Sequence, residues 1–223
     1  MNKIQRSESF HLAIILAVIG GYLDAYTYFC RDRVFANAQT GNIVQLGITL
    51  VNGQYNETLK YLIPIVAFSL GVLLSLYLKN KQINFLHWRQ LVLIFESIIV
   101  VVVSFIPINY DLNIIANILV SFLCAMQAES FKKVLGKPFS STMCTGNLRT
   151  GVECIYYATK NKDRKTLISA IQYLLIILFF IIGAFLGALI STKLLEKSIL
   201  VLLIPLLMSI FIMFEIEGKY LRN

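Results

Sequence analysis

The chain predicts an all-α fold, a polytopic transmembrane helix bundle made of two three-span halves as an inverted repeat, each half with a broken or re-entrant Thr-Gly-Asn segment. Three observations predict it. Hydrophobic residues fill 57% of the 223 positions and charged residues only 14%, too apolar a balance for a solvated domain. Apolar stretches recur at close to the roughly 20 residues that a spanning helix needs. The tripeptide Thr-Gly-Asn occurs at Thr40–Asn42 and Thr145–Asn147, each with an acid sixteen positions upstream (Asp24 and Glu129), so a single offset of 105 residues aligns both pairs. A shared offset of that kind suggests duplication of half the chain, and duplicated membrane halves commonly bind their ligand where the halves meet.

The first expected span, Phe10–Phe29, follows Lys3 and Arg6. That charge layout resembles a signal peptide, but no small-x-small cleavage site follows and the segment carries Asp24, so it is read as an uncleaved helix. Val34–Val51 is uncharged and holds Asn37, Gln39, Asn42 and Gln45, a poor lipid-facing span. Tyr61–Leu78 and Leu91–Ile106 complete a first half over residues 1–109. The second half, residues 110–223, repeats the order with Leu112–Ala128, a polar segment Phe139–Ala158 containing Arg149 and Glu153, then Leu167–Ile190 and Ser198–Phe214. Only Pro107–Leu112 separates the halves, so they form one integrated domain.

Charge decides whether the polar segments cross. Cytoplasmic loops of membrane proteins accumulate Lys and Arg. Eight spans would divide them ten to nine with Arg149 inside a span, whereas six spans place fifteen of the 20 on one side, together with both termini. Six spans are therefore expected, with both termini cytoplasmic. Three spans per half is an odd number, so the second half enters from the opposite face.

The net charge of +8 is spread over short loops flanking apolar segments, which reads as membrane orientation and not as a nucleic-acid surface. Cys30, Cys124, Cys144 and Cys154 have no C-x-x-C spacing, and His11 and His87 are isolated, so neither a metal nor a redox pair is expected and the thiols are read as small packing groups. No H-E-x-x-H or G-x-S-x-G occurs, and no loop is long enough to fold as a ligand domain. No enzyme activity, catalytic residue or cofactor is expected. The expected partners are the lipid bilayer and an unknown small solute or ion; a homo-oligomer is compatible with the sequence.

The candidate ligand- or ion-binding residues are Asp24, Glu129, Gln39, Thr40, Gly41, Asn42, Gln127, Thr145, Gly146 and Asn147. In Thr-Gly-Asn the glycine permits a broken or left-handed turn, and the hydroxyl and amide can cap a half-helix or meet a ligand. Half-helix N-termini also offer unpaired N–H groups. An ionised carboxylate at a helix centre costs about 2.5 to 3.5 kcal/mol on insertion scales, which favours a purpose for Asp24 as proton carrier or cation ligand. Glu129 has Lys132 and Lys133 three and four residues on, where a surface ion pair would form. Glu96 is a further intramembrane acid, open to pairing with Arg89 or a neighbouring helix, or to acting as a lone proton site. Tyr22, Tyr26, Tyr28 and Phe29 read as an interfacial belt. Gly71 and Ser75 are matched by Gly183 and Gly187, small residues at the spacing that lets helices approach closely in lipid.

Gly21-Tyr22-Leu23-Asp24-Ala25 followed by Phe35-Ala36-Asn37-Ala38-Gln39-Thr40-Gly41-Asn42 resembles the YoaK-like family of bacterial membrane proteins, a domain of unknown function. Met126-Gln127-Ala128 and Thr142 to Asn147 are similar to that family's second polar motif, with Ala128 where an asparagine would be expected. The resemblance covers nearly the whole chain. It implies a polytopic protein of the bacterial cell membrane and supplies no activity. From the residues themselves, the expected function is a small secondary transporter or channel with a central polar site between the halves; the alternative is a non-transporting structural or partner-binding membrane protein.

Overall fold

A computed structural model of the chain describes residues 9–81, 88–134, 137–138 and 144–220. Its helices are α1 (Phe10–Cys30), α2 (Gln39–Val51), α3 (Tyr55–Asn80), α4 (Trp88–Ser104), α5 (Tyr110–Ser130), α6 (Cys144–Asn161), α7 (Arg164–Leu194) and α8 (Leu203–Tyr220), with a 3-10 helix, Leu195–Leu202, joining the last two. A two-residue antiparallel pairing, Lys133–Val134 with Lys137–Pro138, follows α5. The protein is thus an all-helical membrane protein. Phe10–Cys30, Tyr55–Asn80, Tyr110–Ser130 and the continuous stretch Arg164–Met213 are long and apolar enough to cross a bilayer.

The starts of α1, α5 and α7 are set by short polar caps. Ser9 accepts the Leu12 N–H at 3.3 Å, Asn109 accepts the Leu112 N–H at 2.8 Å, and Asp163 accepts the Lys165 N–H at 2.9 Å. Each cap supplies an acceptor that the first turn otherwise lacks.

Lipid tails are as apolar as leucine, so helix association in a membrane depends on close packing and hydrogen bonds. The most extensive pairings are α1 with α7 and α3 with α5, each joining one sequence half to the other. Both seams are made by small residues. A Cβ on Gly183 would stand 2.1 Å from the Val18 carbonyl oxygen, and one on Gly187 2.7 Å from that of Tyr22. On the other seam, a Cβ on Gly71 would stand 2.5 Å from the Phe122 carbonyl oxygen, and Ser75 Oγ donates to Met126 O at 3.3 Å. Val18 and Tyr22 are spaced as Phe122 and Met126 are, so the two seams repeat one contact pattern and both run parallel.

Polar bonds fix the remaining directions. Gln127 Nε2 donates to Leu16 O at 3.0 Å while Asn117 Nδ2 donates to Arg31 O at 2.9 Å, so α5 runs antiparallel to α1. Arg89 near the start of α4 donates to Ser130 O at the end of α5 at 2.8 Å, which makes α4 antiparallel to α5. Lys197 stacks 4.3 Å over the Phe105 ring, placing the 3-10 helix beside the end of α4, and α8 then packs back along α4. Hence α1, α4 and α7 run one way, and α3, α5 and α8 the other.

Arg31 locks one end of this bundle. Its guanidinium is fully buried and donates to Tyr26 Oη (2.9 and 3.1 Å), Asn113 Oδ1 (2.9 Å), and the carbonyl oxygens of Val103 (3.3 Å), Ile106 (2.8 Å) and Pro107 (3.1 Å). These carbonyls belong to the C-terminal end of α4 and the turn beyond it, where helical C=O groups lack intrahelical partners and attract a cation. In the six-span reading Arg31 falls just after the first span, Phe10–Phe29, in a connecting loop. Asn113 and Asn117, one turn apart on a span, were the available sign of a polar partner inside the bundle.

Candidate functional site

The site begins with Asp24, about 9 Å short of the C-terminal end of α1 at 1.5 Å per residue. The chain leaves α1 at Arg31 and returns alongside it: the Asn37 backbone N–H donates to Asp24 Oδ1 at 2.7 Å, and Asn37 Nδ2 donates to Gly20 O at 3.1 Å. Only then does α2 begin. Its start is held by Asn42, whose Oδ1 accepts the Phe35 N–H at 3.0 Å and whose Nδ2 donates to Phe35 O at 2.7 Å and Gln39 Oε1 at 3.0 Å. The Asn42 amide therefore stands in for a strand partner to Phe35. Gln39 Nε2 completes the knot by donating to Ala36 O at 2.9 Å.

The Thr-Gly-Asn motifs are neither broken turns nor N-caps, which corrects the expectation from their composition. Each lies in the first turn of a regular α-helix, and the residue before α2 is Ala38, which makes no side-chain cap bond. Neither Gly41 nor Gly146 has positive φ. Gly41 is small because the Phe35 ring would come within 2.9 Å of a Cβ there, whereas a Cβ on Gly146 would meet open space.

That open space is a cavity of about 830 Å³, lined by Asp24, Ala25, Tyr28 and Phe29 of α1, by Phe35, Asn37, Ala38, Gln39 and Thr40, by Ile65, Phe68 and Ser69 of α3, by Cys144, Thr145 and Gly146 of α6, and by Phe180, Ala184 and Ala188 of α7. The structure thus brings Asp24, Gln39, Thr40, Thr145 and Gly146 to one place, with the first turn of α2 and the first turn of α6 both at its wall. Asn42 and Asn147, in the same two first turns, are buried and outside the lining.

Two candidates lie elsewhere. Glu129, at the end of α5, forms an ion pair with Lys132 and does not line the cavity. Gln127 is buried between α5 and α1 on Leu16 O, again away from the lining. Residues 139–143, the approach to the second motif, lie outside the described residues.

Other expectations change as well. Tyr22 and Tyr26 are core residues and not an interfacial belt: Tyr22 Oη donates to Ser198 O at 2.6 Å, and Tyr26 Oη accepts from Arg31. Tyr28 and Phe29 line the cavity, with Tyr28 stacked on Phe35 at 5.1 Å between centroids. Cys30 and Cys124 are buried packing groups, but Cys144 faces the cavity. Glu96 does not pair with Arg89; it is fully buried, and neither of its oxygens has a hydrogen-bond partner among the described residues.

The fold and the membrane-length helices around a partly polar cavity define a polytopic helical membrane protein. A family profile, that of a protein of unknown function (DUF1275), matches residues 12–213, and the chain belongs to that family. No curated protein and no solved structure matches it significantly.

Proposed function

We propose that this protein is a small secondary transporter or channel of the bacterial cell membrane, moving a small solute or ion through a polar site between two inverted three-span halves. The observation that carries the reading is the single cavity shared by Asp24, the start of α2 and the start of α6. Its geometry has the form that membranes tolerate, since irregular backbone at membrane depth survives only when buried in protein or lining a wet cavity.

Helix directions support the inverted repeat. In this reading α1, α3 and α4 form one half and α5, α7 and α8 the other; α1 opposes α5, α3 opposes α7 and α4 opposes α8. The chain then enters and leaves α2 at one end of the bundle and α6 at the other, so both act as re-entrant half-helices and the termini share the cytoplasmic side. The 13 residues of α2 reach only about 20 Å, too short for the roughly 30 Å hydrocarbon core.

A second reading, a non-transporting scaffold, draws on a specific observation: Asn42, Gln39 and Gln127 all spend their amides on internal backbone groups. A single-cysteine Thr145→Cys protein, reconstituted in one orientation, separates the two readings. A transporter or channel exposes this position to a water-soluble thiol reagent from both faces, at once or by turns. Protection from either face throughout supports the scaffold.

A further inference from the structure

We propose that the cavity is a binding site for an amphipathic organic cation, seated with its charge toward Asp24 and its apolar body among Tyr28, Phe29, Phe35, Phe68 and Phe180. The inference rests on the transport reading and names the class of solute.

Three properties of the wall point the same way. Size comes first: about 830 Å³ lies in the range of sites for drug-sized molecules, and a bare ion would leave most of this wall unfilled. The second is charge. Asp24 is the one charged side chain in the lining among the described residues, with no Lys, Arg or His beside it, so an anionic solute would meet a carboxylate and no counter-charge. The third is surface chemistry. Aromatic faces carry negative quadrupole charge and attract organic cations, and five aromatic side chains come from α1, α3, α7 and the loop before α2.

The positive ends of α2 and α6 act against a cation, and magnitude decides between them and Asp24. A helix end carries about half an elementary charge, and its influence fades within one turn. At α2 it is further occupied, because the Gln39 and Gly41 N–H groups donate to Asn37 O at 2.8 Å and Ala38 O at 2.9 Å. Asp24, when ionised, supplies a full charge at the wall itself. Its Oδ1 is oriented by the Asn37 N–H, which holds the carboxylate in place before any ligand arrives.

Cys144 is a built-in reporter, since this free cysteine lines the same cavity. The full-length protein is alkylated with a small water-soluble maleimide, and modification of Cys144 is read by peptide mass. Tetraphenylphosphonium and tetraphenylborate, near-identical in shape and opposite in charge, serve as competing probes. Tetraphenylphosphonium should slow alkylation of Cys144 and tetraphenylborate should not, while Asp24→Asn should weaken that protection about tenfold, near 1.4 kcal/mol. Equal protection by both probes, better protection by the borate, or none from either while Cys144 still reacts would overturn the organic-cation assignment and leave the transport reading standing. A Cys144 that reacts only after unfolding would overturn the water-accessible cavity, and this proposal with it. The comparison of the two probes uses unaltered protein, so it holds even if Asp24→Asn fails to fold.

Discussion

Asp24 Oδ1 accepts the backbone N–H of Asn37 at 2.7 Å, which ties the interior of α1 to the loop that delivers the first Thr-Gly-Asn motif. The bond spans thirteen residues and ends three short of the motif itself.

The glycine seams predict a sharp contrast. Gly183→Ala drives a methyl group into the Val18 carbonyl, a backbone atom that cannot swing aside. A loss of about 1 to 3 kcal/mol is expected for such overpacking. Gly146→Ala, facing the cavity, should change stability by no more than about 0.5 kcal/mol. Thermal unfolding in detergent checks both, and equal losses at the two positions would contradict the seam.

Arg31→Met should be among the most damaging single changes. It strips donors from Val103 O, Ile106 O, Pro107 O and Asn113 Oδ1 at once. A loss of about 3 kcal/mol or more is expected for unpairing a buried network of this kind. Arg31→Lys should recover little, because an ammonium cannot reproduce the planar fork. A melting temperature for Arg31→Met close to that of the parent would refute this role.

Glu96→Met should stabilise the fold. The buried carboxyl has no hydrogen-bond partner among the described residues, and an unsatisfied buried polar group costs about 1 to 3 kcal/mol. If the same variant loses solute movement while gaining stability, Glu96 holds a functional place at structural cost. Destabilisation by Glu96→Met would show that the carboxyl has a partner after all.

Part of this architecture was legible in the sequence for simple physical reasons. Long apolar runs have few structural options in a membrane, so the spans matching α1, α3, α5 and α7 stood out. The shared 105-residue offset singled out Asp24 and both motifs, whose first turns meet at the cavity. Other features required three-dimensional knowledge. Three of the partners of Arg31 are backbone carbonyls more than seventy residues away, and a carbonyl leaves no mark in a sequence. Tyr28 and Phe29 suit an interfacial belt as well as a cavity wall, because an aromatic ring fits either setting. Glu129 shares the offset of Asp24 but not its place, since Lys132 lies within reach on the same stretch of chain.

The central claim is that the two Thr-Gly-Asn segments face one another across a single cavity, and cross-linking tests it most directly. Thr40→Cys and Thr145→Cys are combined in a protein lacking Cys30, Cys124, Cys144 and Cys154, with a protease site inserted near Pro107. Bifunctional thiol reagents of graded length are applied to the folded protein, which is then cut. The account predicts that a short reagent keeps the two fragments joined on a denaturing gel. Fragments that separate at every spacer length, although each cysteine reacts singly, would show that the motifs do not share a cavity and would contradict the account.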